Sequence, residues 1–234
     1  MCRSRSTKYT CFFLLIGSPL FPLRLAGQFA SPLPNPPLWQ IEDQVFPKRC
    51  TIAAGVGVRV VSRDQSAERI RCSLAARDEA RDVDGNDVLI VARTDCRAAL
   101  GLDEAVERCK IYEALGADVV YAENLKDRGE YEILRRELRR ETPMMLAQVQ
   151  QGAQECEGGG SIKVLNASES GEMGYCLALF GVSGLQAYVS SLERVATALI
   201  AGGGMLHDIS TFSNLKEVVG FPMLDAFESK FNIE

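Results

Sequence analysis

Short apolar runs alternate along this chain with segments whose apolar positions recur every three or four residues. The runs are the segment entering Ile41, Val88 to Ala92, Val119 to Ala122, Met144 to Val149 and Cys176 to Phe180. Continuous Val, Ile and Leu runs mark parallel strands covered on both faces, so five such strands are expected. The intervening periodicity is helical. Ser62-Arg63-Asp64-Gln65 reads as a capping box, followed by an apolar stripe of Ala67, Ile70 and Leu74. Asp103 is the expected N-cap of a second helix, with Val106, Cys109 and Tyr112 buried and Gly116 as the stop. A third helix is expected from about Glu130 to Arg140. A further capping box at Ser183-Gly184-Leu185-Gln186 opens a helix with Leu185, Val189, Leu192 and Ala196 facing inward. Two short helices, near Asn214 to Val219 and Pro222 to Phe231, close the chain. Strand and helix alternating in this way predict an α/β fold, a parallel sheet with crossover helices.

The first forty residues differ. They contain no Asp or Glu, carry Arg3, Arg5, Lys8 and Arg24, and hold Pro19, Pro22, Pro32, Pro34, Pro36 and Pro37. So much proline leaves no regular helix or central strand, apart from a short helix at Thr10 to Ile16. The apolar run Cys11 to Ile16 is too short to span a bilayer. A signal peptide, a transit peptide and unrelated sequence replacing the true start are the three readings of this segment. The division expected is therefore residues 1–40 as a separate N-terminal segment and 41–234 as the folded domain.

Composition narrows the function classes. With 47% hydrophobic residues in 234 and a net charge of −5, the chain suits one buried α/β domain and shows no electrostatic footprint for nucleic acid. Neither a nucleic-acid nor a membrane partner is expected. The eight cysteines include no C-x-x-C pair, so a reduced, intracellular protein is expected, in cytoplasm or mitochondrion. His207 is the sole histidine, which excludes multi-histidine metal sites.

Three of the strands end in ionisable groups. In α/β proteins ligands sit beyond the carboxyl ends of such strands, so Glu42, Arg93 and Glu123 are expected to converge on one pocket. Lys48 and Arg49 precede Cys50, and adjacent cations favour the thiolate. Blander roles exist for each. Cys50 could be a small buried hydrophobe, Arg93 could pair with Asp95 or Asp118 as scaffolding, and Glu123 could cap a strand end.

The segments IEDQVFPKRC, VVSRDQSAERIRCSLAARDE, LIVARTDCRAALGLDEAVERCKIYEALGADVVYAEN and GYCLALFGVSGLQA resemble the isocitrate lyase/phosphoenolpyruvate mutase superfamily, especially its smaller members. That resemblance implies a partial β/α (TIM-type) barrel, roughly strands 4 to 8 with their helices. It implies carbon–carbon bond lyase or hydrolase activity on small 2-hydroxy or 2-oxo di- or tricarboxylates through an enolate stabilised by Mg2+. It also implies a homo-oligomer and a small carboxylate partner. By resemblance, Cys50 is the general acid and Lys48 keeps it ionisable and anchors carboxylate oxygens. Arg93 would clamp a substrate carboxylate in two-pronged geometry. Glu123 would orient a substrate hydroxyl or water, Gln148 would take the place of a carboxylate-binding asparagine, and Glu42 would belong to the metal shell.

Departures accompany these matches. Gln40 stands where the family has a histidine before I-E-D, and Thr51-Ile52-Ala53-Ala54-Gly55 replaces the Gly-His that follows the cysteine. The Thr-Pro segment of the family is replaced by Glu155 to Gly160. The D-x-D-x-G-Y-G loop that holds magnesium in the family occurs nowhere in the sequence. One carboxylate is a weak magnesium site unless substrate and water complete the six-oxygen shell. Little or no magnesium-dependent cleavage is therefore expected of this chain as written. The alternative to the lyase or hydrolase reading is a catalytically impaired homologue or an incomplete chain that retains only the carboxylate pocket. Cys50 argues against the phosphonate mutases.

Overall fold

A computed structural model describes residues 15–17, 37–49, 57–85, 88–149, 165–203 and 206–231. The expected strands appear as β2 (Leu38–Glu42), β3 (Leu89–Thr94), β4 (Val119–Ala122), β5 (Met144–Ala147) and β6 (Leu177–Leu179), preceded by β1 (Leu15–Gly17). The sheet order is β1-β6-β5-β4-β3-β2. All neighbours from β2 to β6 are parallel, while β1 lies antiparallel on β6. The helix expected over Thr10 to Ile16 is thus corrected in its described part: Leu15 to Gly17 is extended and paired with the edge strand.

Period-2 alternation divides the sheet into two apolar faces. Ile90, Ala92, Val120, Ala122, Met144 and Leu146 join the larger core with residues of α1 (Arg63–Asp84), α3 (Leu102–Leu115) and α4 (Arg128–Glu137). Val91, Val119, Tyr121, Met145, Leu177 and Leu179 form a smaller cluster on the opposite face. Arg93 shares parity with Val91, and Glu42 with Leu38, so both belong to this second face.

Helix α1 starts as the sequence dictates. Ser62 Oγ accepts from Gln65 N at 3.2 Å and Gln65 Oε1 accepts from Ser62 N at 3.3 Å, a reciprocal cap worth about 1 kcal/mol. Ala67, Ile70 and Leu74 are buried along it. Helix α3 likewise buries Val106, Cys109 and Tyr112 and ends at Gly116 with φ 86°, a left-handed value that glycine adopts without strain. Its start departs from expectation. Gly101, not Asp103, is the N-cap, and the short helix α2 (Arg97–Leu100) precedes it. Asp103 sits instead in the first turn, where its charge complements the helix dipole.

The acid limb of stability follows from two carboxyls. Hydrogen bonds from Arg63, and then from Arg108, hold Glu104 below its ordinary pKa of 4.5. Burial pushes Glu130 up, but Arg97 and the Lys126 backbone N–H outweigh it and leave that pKa lowered too. A folded pKa below the unfolded one stabilises above the unfolded value, and that stabilisation disappears as pH falls through the folded value. Urea unfolding midpoints should therefore drop as pH falls from about 5, and Glu104→Gln should flatten that limb. An unchanged slope in the variant would show that Glu104 contributes nothing to it.

Leu185–Glu234 forms a second compact unit. It comprises most of α6 (Ser183–Ile200), then α7 (Phe212–Val218) and α8 (Phe221–Glu228). Thr211 Oγ1 caps α7 by accepting from Asn214 N at 3.2 Å, Gly220 turns the chain at φ 91°, and Pro222 opens α8. The inward face expected for α6 is corrected. Leu185, Val189 and Leu192 are 61%, 45% and 49% exposed, and Ala196 is exposed as well. An apolar stripe is covered only where another element lies on it, and α6 buries none of its residues. No helix among the described residues is long and apolar enough to cross a membrane.

Candidate active site

Beyond Glu42 the chain is held by backbone bonds that close a narrow neck. Val45 N donates to Arg59 O and Val61 N to Asp43 O, both at 2.9 Å, and Gln44 bridges Val60. Arg69 Nη1 donates to the carbonyls of Glu42 and Gln44 at 3.0 and 2.9 Å. The segment with Lys48 and Cys50 is therefore tied at both ends to the end of β2. Cys50 itself lies outside the described residues.

Below the neck, Asp43 is a buried hub. It accepts from Thr94 Oγ1 at 2.6 Å, Asp95 N at 2.9 Å, Arg108 Nη1 at 2.9 Å and Tyr112 OH at 3.4 Å. Arg108 in turn donates to Val61 O and Glu104 Oε1, at 2.9 and 2.8 Å. The ends of β2 and β3, the neck and α3 are thereby fixed to one another.

The ionisable strand ends do converge. Glu42 and Arg93 are register partners across β2 and β3, as are Arg93 and Tyr121 across β3 and β4. Arg93 Nη2 lies 3.0 Å from Glu123 Oε2, and its Nε 3.8 Å from Glu42 Oε2. Tyr121 OH donates to Glu123 Oε2, and the Arg93 guanidinium lies over the Tyr121 ring at 5.4 Å. Glu123 N is anchored to Thr94 O at 2.9 Å, and the chain then turns sharply through Asn124 at φ 63°, a value that asparagine tolerates better than most residues. Lys48 Nζ lies 2.8 Å from Glu42 Oε1. That approach lacks hydrogen-bond geometry, and Glu42 Oε1 remains a buried oxygen with no hydrogen bond.

Two expectations are corrected. The fork of Arg93 is already occupied, since Nε donates to Asp95 Oδ2 at 2.9 Å and Nη2 to Asp95 Oδ1 at 2.6 Å. The scaffolding pair is what forms, and the Nε/Nη2 edge is not open to a ligand. Gln148 does not join the cluster. Its amide donates to Leu165 O at 2.9 Å and accepts from Leu165 N at 2.7 Å, and Leu165 belongs to the helix-covered core. One residue past Ala147, which packs on the opposite face, Gln148 is carried to the helical side by strand parity.

Burial works against the charge on Arg93, yet the Asp95 hydrogen bond and the Glu123 charge outweigh it and raise its pKa above the usual range. Burial, then the Glu123 carboxylate, pushes the Tyr121 phenol well above its usual range, so Tyr121 is a neutral donor. Two cations, Lys48 and Arg93, face three carboxylates, Glu42, Asp95 and Glu123, leaving the cluster one unit negative. Among the described residues no three His, Cys, Asp or Glu side chains are placed to hold a metal ion. Glu42 Oε1 could give one oxygen. The described residues do not by themselves fit a magnesium site.

Asp43, Asp95 and Tyr121 had no assigned role in the pocket as read from sequence. Arg93/Asp95 and Tyr121/Glu123 are both i, i+2 pairs, the spacing that puts two side chains on one face of a strand. A tyrosine within the apolar run Val119 to Ala122 also needs a partner for its hydroxyl. A separate crevice of about 610 Å³, lined by Arg135, Arg136, Arg140 and Tyr175 among others, opens beside Pro143 and Cys176. It lies at the amino ends of β5 and β6, away from this cluster.

The model of the phosphoenolpyruvate phosphomutase family matches residues 39–200. The chain belongs to that family. Among curated relatives, the 2,3-dimethylmalate lyase of Eubacterium barkeri is 26% identical over 82% of this chain and 61% of its own length. The 2-methylisocitrate lyase of Aeropyrum pernix is 29% identical over 78% and 54%. The structure of a 2,3-dimethylmalate lyase superposes with a TM-score of 0.67 at 26% identity, covering 83% of this chain and 60% of that one. An oxaloacetate acetylhydrolase bound to the inhibitor 3,3-difluorooxalacetate gives 0.65 at 28%, covering 82% and 59%. This phosphomutase-family chain thus spans 54–61% of the length of these two curated relatives. Its parallel strands form part of a TIM-type barrel, as the resemblance implied.

Proposed function

We propose that this chain carries the carboxylate-binding site of a carbon–carbon bond lyase or hydrolase acting on small 2-hydroxy or 2-oxo acids. The observation that carries the reading is the convergence of Glu42, Lys48, Arg93 and Glu123 at the carboxyl ends of adjacent parallel strands, where β/α barrels place their chemistry. The relatives named for dimethylmalate, methylisocitrate and oxaloacetate point to the same substrate class.

Each residue has a definite task in this reading. Arg93 Nη1, which has no partner among the described residues, donates to a substrate carboxylate. Glu123 gives Oε2 to Arg93 and Tyr121 and keeps Oε1 for a substrate hydroxyl or water. Lys48 supplies positive charge at the rim, and Cys50, carried on the segment closed by the neck, delivers a proton to carbon. Because the cluster is net negative, a dianionic acid enters against its field unless a cation accompanies it. Glu42 is the residue that would hold such a cation, and the cation would supply the missing positive charge.

Oxalate, with and without Mg2+, is a direct probe. Titration followed by NMR should show shifts at Arg93, Tyr121 and Glu123 with both present and much weaker shifts with oxalate alone. Arg93→Gln should abolish them. No binding under either condition would reject the carboxylate site.

A further inference from the structure

We propose that Asp95 is the positioning residue of this site: by occupying the Nε/Nη2 edge of Arg93 it fixes the guanidinium so that Nη1 alone is offered to a ligand. The inference deepens the carboxylate reading above and rests on it for its ligand. Its geometric part stands alone.

The Asp95 side chain is fully buried and Arg93 is 16% exposed, so a ligand arriving from solvent meets the arginine and not the aspartate. Both Asp95 oxygens are committed to the guanidinium, at 2.9 and 2.6 Å, in the parallel fork geometry that gives orientation as well as attraction. Asp95 is itself held from behind. Its backbone N–H donates to Asp43 Oδ1 at 2.9 Å, and Asp43 is paired with Arg108 at 2.9 Å. A line of buried polar groups therefore runs from α3 through Asp43 and Asp95 to Arg93, and each member is satisfied by the next. Without Asp95, nothing on that edge would oppose collapse of Arg93 onto Glu123 and Glu42, at 3.0 and 3.8 Å.

A consequence for ligand class follows. With the Nε/Nη2 edge taken, Arg93 recognises a carboxylate through Nη1, whose two N–H groups diverge and cannot by themselves form a parallel fork. The acid must then be oriented by a second contact, at Glu123 or Lys48, which selects acids bearing a hydroxyl or second carboxylate over simple monocarboxylates.

The test is hydrogen exchange at the Arg93 Nε–H by NMR in the full chain. In the wild type this proton should exchange about tenfold or more slower than that of Arg136, since a charged hydrogen bond must break first. Exchange as fast as at Arg136 overturns the proposal without any variant. In Asp95→Asn the Arg93 rate should rise toward that of Arg136 while the Ile90 amide stays protected; unchanged Arg93 protection overturns the proposal. If the variant does not fold, the wild-type comparison alone decides. Asp95→Asn should also bind oxalate with Mg2+ about tenfold or more weakly, the size of loss known when hydrogen-bond partners of metal-binding side chains are removed. Equal affinity counts against positioning. If the wild type binds no oxalate, the carboxylate reading fails, and the exchange comparison still decides the lock on Arg93.

Discussion

Replacing Asp43 with alanine should destabilise the protein by about 3–5 kcal/mol, the usual cost of removing one partner of a buried ion pair. That is a large part of the roughly 5–15 kcal/mol by which domains are stable. Asp43 and Arg108 have side chains only 1% and 3% exposed. Alanine would leave Arg108 Nη1, Thr94 Oγ1 and the Asp95 N–H without their acceptor at a buried position. The pair is costly to break rather than costly to lack. Asp43→Leu combined with Arg108→Met should therefore be less destabilising than either single change. Urea unfolding of the three variants checks this; a single variant within about 1 kcal/mol of the wild type would mean that the pair behaves like a surface contact.

Turnover should show the second large effect. The purified 234-residue chain should cleave 2-methylisocitrate, 2,3-dimethylmalate and oxaloacetate about a thousandfold or more slowly than a full-length 2-methylisocitrate lyase assayed beside it. Metal-borne charge stabilisation is worth several kcal/mol, and each 1.4 kcal/mol is about tenfold in rate. Here Glu42 Oε1 is the buried oxygen left without a hydrogen bond, and no three-ligand group exists among the described residues. Robust turnover abolished both by chelator and by Cys50→Ser would overturn this.

The sheet and its helices were legible because their rules are local and repetitive. Ser62 and Gln65 cap α1 as their spacing demands, and Gly116 stops α3 where no residue with a Cβ sits easily. The convergence of Glu42, Arg93 and Glu123 was legible too, since parallel strands in one register must bring their ends together. What escaped was allegiance: which partner each charged group would choose. Arg93 chooses Asp95 because a neighbour two residues along the chain is already close by, at little cost in chain closure. Gln148 was misplaced by one step of parity, for a β5 ending at Ala147 turns the next side chain to the other face. The exposed stripe of α6 has a different origin, because amphipathic spacing tells which face is apolar and not what covers it.

The neck between Asp43 and Val61 separates what must stay constant from what is free to change. Its bonds are made by backbone atoms of residues 43–45 and 59–61, by Arg69 reaching the carbonyls of Glu42 and Gln44, and by Arg108 reaching the carbonyl of Val61. Among the described residues, none of these bonds uses a side chain of residues 46–49, 57 or 58. Doubling the length of a segment closed in this way adds only about 0.6 kcal/mol of closure entropy, so evolution can exchange this stretch as a cassette. Lys48 and Cys50 travel on that cassette, while Glu42, Arg93 and Glu123 belong to the frame. New acids could be accepted by rewriting a dozen or so residues without renegotiating the barrel beneath them.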